Sequence, residues 1–178
     1  MGISEFDDAW DDHDDESALV REARRLGEGI LGACIRDLEP RKAVCLPEDA
    51  TIREAMSLMA ERKIGAVLLE REGQAVGIFT ERDVLRRVVL GAVDPERPIR
   101  EVMTRDPDTL GADDGIAFAL DKMIGGGYRH VPVVDAAGRA VAVLSLREVV
   151  SFIVELLPGR VLNLPPDPRL SAHSEDGG

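Results

Sequence analysis

Apolar positions change period along the chain, and the change of period occurs twice in the same order. Over residues 51–62, Ile52, Ala55, Met56 and Met59 fall on one face at helical spacing, and Thr51-x-x-Glu54 has the spacing of a capping box. Two short apolar runs follow, 65–70 and 75–79, joined by Arg71-Glu72-Gly73-Gln74. They predict two strands around a tight turn. A short strand near 42–46 precedes this helix. A second helix is predicted from Thr80 to about Leu90, stopped by Gly91 and Pro95. The later series reads alike: a strand near 107–110, a helix over 115–124 ended by Gly125-Gly126-Gly127, strands at 130–135 and 140–144, and a helix over 146–157 stopped by Pro158. Upstream, Leu19, Ala23, Leu26 and Ile30 predict an amphipathic helix over 16–31, which Gly27, Gly29 and Gly32 weaken.

Residue identities repeat along with the periods. A shift of 64 places Ile35-Arg36 on Ile99-Arg100, Arg41 on Arg105, Leu46 on Leu110, Asp49 on Asp113, Ile52 on Ile116, Ala55 on Ala119 and Met59 on Met123. One inserted residue then makes the shift 65, matching Gly73 to Gly138, Ala75-Val76 to Ala140-Val141, Arg82 to Arg147 and Val84 to Val149. The chain is therefore an internal duplication. The fold class expected is α/β (α+β): two tandem βαββα units, 35–98 and 99–158, packed about a pseudo-twofold axis. A helix and linker over 16–34 precede them, and an acidic tail at 1–15 and a flexible tail at 159–178 flank the whole.

Composition narrows the partners. The formal net charge is −12, and residues 1–16 contain eight acidic residues with no Lys or Arg. Such a chain is repelled at long range by nucleic acid and anionic lipid, so neither is expected as a partner. Any anionic small molecule would need a local basic patch. The chain has two cysteines, Cys34 and Cys45, which form no framework. No apolar run suggests a signal peptide or membrane span, and a reducing cytoplasm is the expected location. The final helix carries a stripe of Val149, Phe152, Ile153 and Leu156, while Val150 and Leu157 spill beyond it. An apolar surface wider than one face predicts a second partner, either the sister unit or another chain.

Candidate chemistry is concentrated in two stretches. Thr80-x-x-Asp83 has near-capping-box spacing, so on its own it is readable as nothing more than a helix start. Gly77-Ile78-Phe79-Thr80-Glu81-Arg82-Asp83-Val84-Leu85, however, resembles the G-h-h-T-x-x-D-h-h signature of cystathionine-β-synthase (CBS) domains. Tyr128-Arg129-His130-Val131-Pro132-Val133-Val134-Asp135 is similar to their second characteristic stretch. The resemblance covers about residues 35–157 and implies one CBS tandem, or Bateman module, binding adenosine compounds in clefts between the copies. It implies that Thr80 and Asp83 hold the ribose, where a carboxylate accepts from neighbouring hydroxyls. Arg129 and His130 of the opposite copy would hold phosphate, and Ile78 with the backbone at Ala43 and Val44 would line the adenine slot. AMP, ADP or ATP is the implied ligand, ahead of S-adenosylmethionine or NAD, with no required cofactor.

The second cleft departs from this pattern. Its ribose position is Ser145-x-x-Glu148, a favoured capping pair, and the counterparts of Arg129 and His130 are Gly65 and Ala66. Arg62 and Lys63 lie just upstream as substitutes, making a weaker second site. No catalytic set and no metal site is expected. No residues are left outside the tandem for a catalytic domain, so a regulator rather than an enzyme is expected, acting as a homodimer on an unknown protein. The competing reading is a dimerisation or scaffold module with no ligand.

Overall fold

The computed structural model describes residues 13–157; the expected tail at 159–178, and residues 1–12 of the one expected at 1–15, lie outside the described residues. Helix α1 (His13–Gly32) begins inside the segment read as an acidic tail and runs through Gly27 and Gly29. At Gly29 the helix passes the end of the last helix: a Cβ there would lie in ordinary contact distance of Leu156, at 3.4 Å.

The first repeat supplies β1 (Cys45–Pro47), α2 (Ile52–Arg62), β2 (Ala66–Arg71) and β3 (Gln74–Thr80). Thr51 caps α2 as its spacing predicts: Thr51 N–H donates to Glu54 Oε2 at 2.8 Å and Glu54 N–H donates to Thr51 Oγ1 at 3.1 Å. Helix α3 (Glu81–Asp83) then widens into π-helical turns over Val84–Val89, where one regular helix was predicted. Leu90 N–H reaches back to the Leu85 carbonyl, a five-residue step of the kind found at functional sites. The second repeat supplies β4 (Thr104–Arg105), β5 (Leu110–Gly111), α4 (Ile116–Gly126), β6 (His130–Val134), β7 (Ala140–Ser145) and α5 (Leu146–Glu155). Strand β4 was not anticipated.

One sheet has the order β1-β2-β3-β4 and the other β5-β6-β7; in each, a parallel pair is followed by an antiparallel hairpin. The run 66–69 is apolar throughout because both its faces are covered. Val67 and Leu69 face the helices of their own half, while Ala66 and Leu68 join Ile78, Ala140 and Val143 in a seam between the two sheets.

The start of each repeat crosses to the other half. Strand β4, which opens the second repeat, pairs antiparallel with β3 of the first, Gly77 opposite Arg105. Lys42 makes the reciprocal bridge to Ala142 in β7. The turn before each strand does the same. Ile35 N–H donates to the Asp114 carbonyl at 2.9 Å, and Ile99 N–H donates to the Ala50 carbonyl at 2.8 Å. Their side chains follow: Ile35 is buried among Leu110, Ile116, Val131, Leu144 and Val149, whereas Ile99 is buried among Ile52, Val67, Leu69 and Phe79. Two cores result, each completed by a residue of the other repeat, so the pair cannot separate without opening both.

Candidate functional site

Thr80 ends β3 and caps α3. Its N–H and hydroxyl both donate to Asp83 Oδ2, at 2.9 and 2.7 Å, and Asp83 N–H donates back to Thr80 Oγ1 at 3.3 Å. Asp83 is buried, and its other oxygen lies 3.3 Å from Arg87 Nε. Arg87 is itself fixed by donating to the Val102 carbonyl at 2.8 Å. The helix-start reading of Thr80-x-x-Asp83 is therefore realised, and it does not exhaust the carboxylate. Two carboxylate oxygens offer about four acceptor positions, and these contacts use three.

Across from this corner, α4 ends in Gly126 and Gly127, the latter at φ 65, and the chain turns through Tyr128 and Arg129 into β6 at His130. A third wall is the crossing segment, with Thr104, Asp106, Pro107 and Asp108. Together these elements enclose a cleft of about 540 Å³, within the ordinary range for a small-molecule site. Ile78, Thr80, Asp83, Arg129 and His130 all line it. Arg82, Arg86 and Arg87 also line it and were not singled out in the sequence. Arg86 and Arg129 make no side-chain hydrogen bond or ion pair among the described residues, so in an acidic chain the cleft presents two uncommitted guanidinium groups. Burial pushes the His130 imidazole below its ordinary value, against the pull of Glu81, so the neutral ring is favoured. His130 packs where a Cβ on Gly65 would lie 3.0 Å from its ring, so Gly65 makes room for it.

Ala43 and Val44 do not belong to this cleft. Ala43 packs in the seam between the sheets, and Val44 lines a second cleft of about 720 Å³ together with Ser145, Glu148 and Lys63. The reason is the crossing of the repeat starts: residues 41–43 lie beside β7, and residues 104–106 lie beside β3. Asp108 thus occupies the wall position expected for Val44, and applying the 64-residue shift to the slot would have found it. Arg62 is exposed and lines neither cleft, so only Lys63 of that pair reaches the second one.

Asp108 accepts from Tyr128 Oη at 2.8 Å and pairs with Lys122 at 3.4 Å, which together hold its carboxyl below the usual range. Burial first, and this hydrogen bond second, push the Tyr128 phenol up to about 12. Tyr128 is the chain's single tyrosine, so an ultraviolet pH titration should show one phenol ionising near 12. In Asp108→Asn the midpoint should move down towards, but not to, the ordinary value near 10, because burial remains. A wild-type midpoint at the free-tyrosine value would place the ring in water.

Among the described residues, no group of three or more His, Cys, Asp or Glu is placed to hold a metal ion. No helix among them is long and apolar enough to cross a membrane.

A duplicated α+β module whose halves interlock around a cleft defines a tandem pair domain. The chain belongs to the CBS domain family, whose profile matches residues 35–90 and 99–155. It is 34% identical over 132 residues to the CBS domain-containing protein CBSCBSPB5 of Arabidopsis thaliana, covering 73% of this chain and 23% of that protein. An uncharacterized 17.7 kDa protein of Acidianus ambivalens is 27% identical over 123 residues, 68% of this chain and 74% of its own length. Among solved structures, a CBS domain protein of Pyrobaculum aerophilum in complex with AMP aligns with a TM-score of 0.64 and 32% identity, covering 70% of this chain and 98% of the other. The chain spans about a quarter of the plant relative's length, so the rest of that protein has no counterpart in the alignment.

Proposed function

We propose that the protein is a regulatory sensor that binds an adenosine-containing nucleotide in the first cleft and transmits binding to a partner protein through the relative setting of its two halves. The observation that carries this reading is the meeting of a buried carboxylate corner, Thr80 and Asp83, with Arg86 and Arg129, unpaired among the described residues, and with His130, in one cleft of molecular size. Ribose hydroxyls suit the first group and phosphate oxygens the second. The AMP complex of the Pyrobaculum relative supports the choice of ligand class. A ligand touching both walls favours one arrangement of the interlocked halves, and a partner that distinguishes arrangements reads the bound state. AMP, ADP and ATP fit the guanidinium groups better than S-adenosylmethionine, which carries no phosphate, and are preferred over NAD.

The sensor is proposed to work as a homodimer in the cytoplasm, with Phe118 and Ile124 of α4 and Val150 and Val154 of α5 as exposed apolar surface to be covered. Both cysteines are free. The test uses ligand-stripped protein. Nucleotide at about 100 times its dissociation constant should add about 2.7 kcal/mol of stability, read as a raised melting temperature. Light scattering on the same sample should return twice the chain mass. No thermal shift with AMP, ADP or ATP would leave the ligand-free scaffold reading standing instead.

A further inference from the structure

One of the differences between the two clefts is a side chain whose contacts span the repeat junction. In the first cleft Asp83 is short: its oxygens reach Thr80 and Arg87, both on its own strand and helix. In the second cleft the equivalent residue is Glu148, one methylene longer, and its two oxygens part company. Glu148 Oε2 accepts from Ser145 N–H and Oγ, both at 2.7 Å, which forms the cap of α5. Glu148 Oε1 extends away from that cap and accepts from Arg41 N–H at 3.2 Å, across the cleft in the segment that crosses from the first repeat. The carboxylate therefore lies between the start of α5 and the crossing segment. In the first cleft that interval separates Asp83 from residues 104–108.

From this contact we infer that Glu148 is a latch, closing the second cleft by tying α5 to the crossing segment and limiting the chain to one nucleotide. The inference rests on the proposed nucleotide site in the first cleft. The rest of the second cleft agrees with it. Gly65 and Ala66 stand where the first cleft has Arg129 and His130, and the lining sets Arg41, Lys42, Lys63 and Arg147 against five carboxylates. A nucleotide entering there would have to displace a carboxylate already satisfied on both oxygens and then meet surplus negative charge.

The decisive variant is Glu148→Asp. An aspartate at this position still caps the helix, as Asp83 does at the matching one, but falls short of Arg41. Amide exchange followed by NMR on the free proteins should show Arg41 N–H exchanging about tenfold faster in the variant, the loss of one charge-assisted hydrogen bond. Calorimetric titration with AMP should give one nucleotide per chain for the wild type and two for the variant, the second weaker because the surplus negative charge and the small Gly65 and Ala66 remain, with the unchanged first site serving as the check on folding. Unchanged exchange at Arg41 overturns the latch whatever binds. Two nucleotides per wild-type chain, or one per variant chain with the Arg41 amide released, overturns its role in closing the cleft. If neither protein binds AMP while Arg41 exchange accelerates, the nucleotide reading fails and the latch stands as a structural tie.

Discussion

Ile35→Ala should destabilise the protein by about 2–5 kcal/mol, and the damage should fall in the half of the molecule to which Ile35 does not belong by repeat. Ile35 is fully buried, and truncating such a side chain loses its transfer energy and leaves a cavity. Its neighbours are Leu110, Ile116, Val131, Leu144 and Val149, all in the second repeat. Hydrogen exchange on the variant should therefore rise first in α4, β6 and α5, with α2 and β2 retaining protection until global unfolding. Ile99→Ala should give the mirror result, loosening the core around Ile52, Val67 and Phe79. Equal loosening of both halves in each variant would show a single cooperative core, and loss confined to a residue's own repeat would contradict the crossing.

Asp83→Ala should weaken nucleotide binding about 10- to 100-fold, because each charge-assisted hydrogen bond that the proposed site has it accept from a ribose hydroxyl is worth roughly 1.5–3 kcal/mol. The same change removes the N3 partner of the Thr80 cap and leaves Arg87 without its carboxylate, so some loss of stability, about 0.5–2 kcal/mol, accompanies it. Calorimetry well below the melting temperature separates the two effects, since the folded fraction then stays near one. Arg129→Ala sharpens the assignment. It should weaken AMP and ATP while sparing adenosine, because Arg129 makes no side-chain hydrogen bond or ion pair among the described residues and the contact proposed for it is to phosphate alone. Equal loss for adenosine and AMP would remove Arg129 from the phosphate site, and undiminished affinity in Asp83→Ala would move the ribose elsewhere.

What the sequence determined by itself is local or repeated. The periods of 51–62 and 115–124 place α2 and α4 to within about a turn. Thr51-x-x-Glu54, Thr80-x-x-Asp83 and Ser145-x-x-Glu148 mark three helix starts that all carry capping boxes. The duplication and the two signature stretches give the family and bring five residues of one cleft together: Ile78, Thr80, Asp83, Arg129 and His130. Only the tertiary structure decided which sheet edge receives the start of each repeat. Ile35-Arg36 and Ile99-Arg100 are the same dipeptide, and Arg41 matches Arg105, so either edge offers each segment similar backbone partners and a similar apolar socket. Periodicity states that a face is buried but not against what, and in a duplicated sequence that ambiguity is at its greatest. Resolving it moved Ala43 and Val44 out of the first cleft, put Asp108 beside Tyr128, and set Arg41 N–H opposite Glu148. The widening of the helix after Asp83 was hidden for a related reason. A helical pattern in 84–89 is compatible with either four- or five-residue hydrogen bonds, and the choice is visible only in the Leu90-to-Leu85 bond that the packed chain makes.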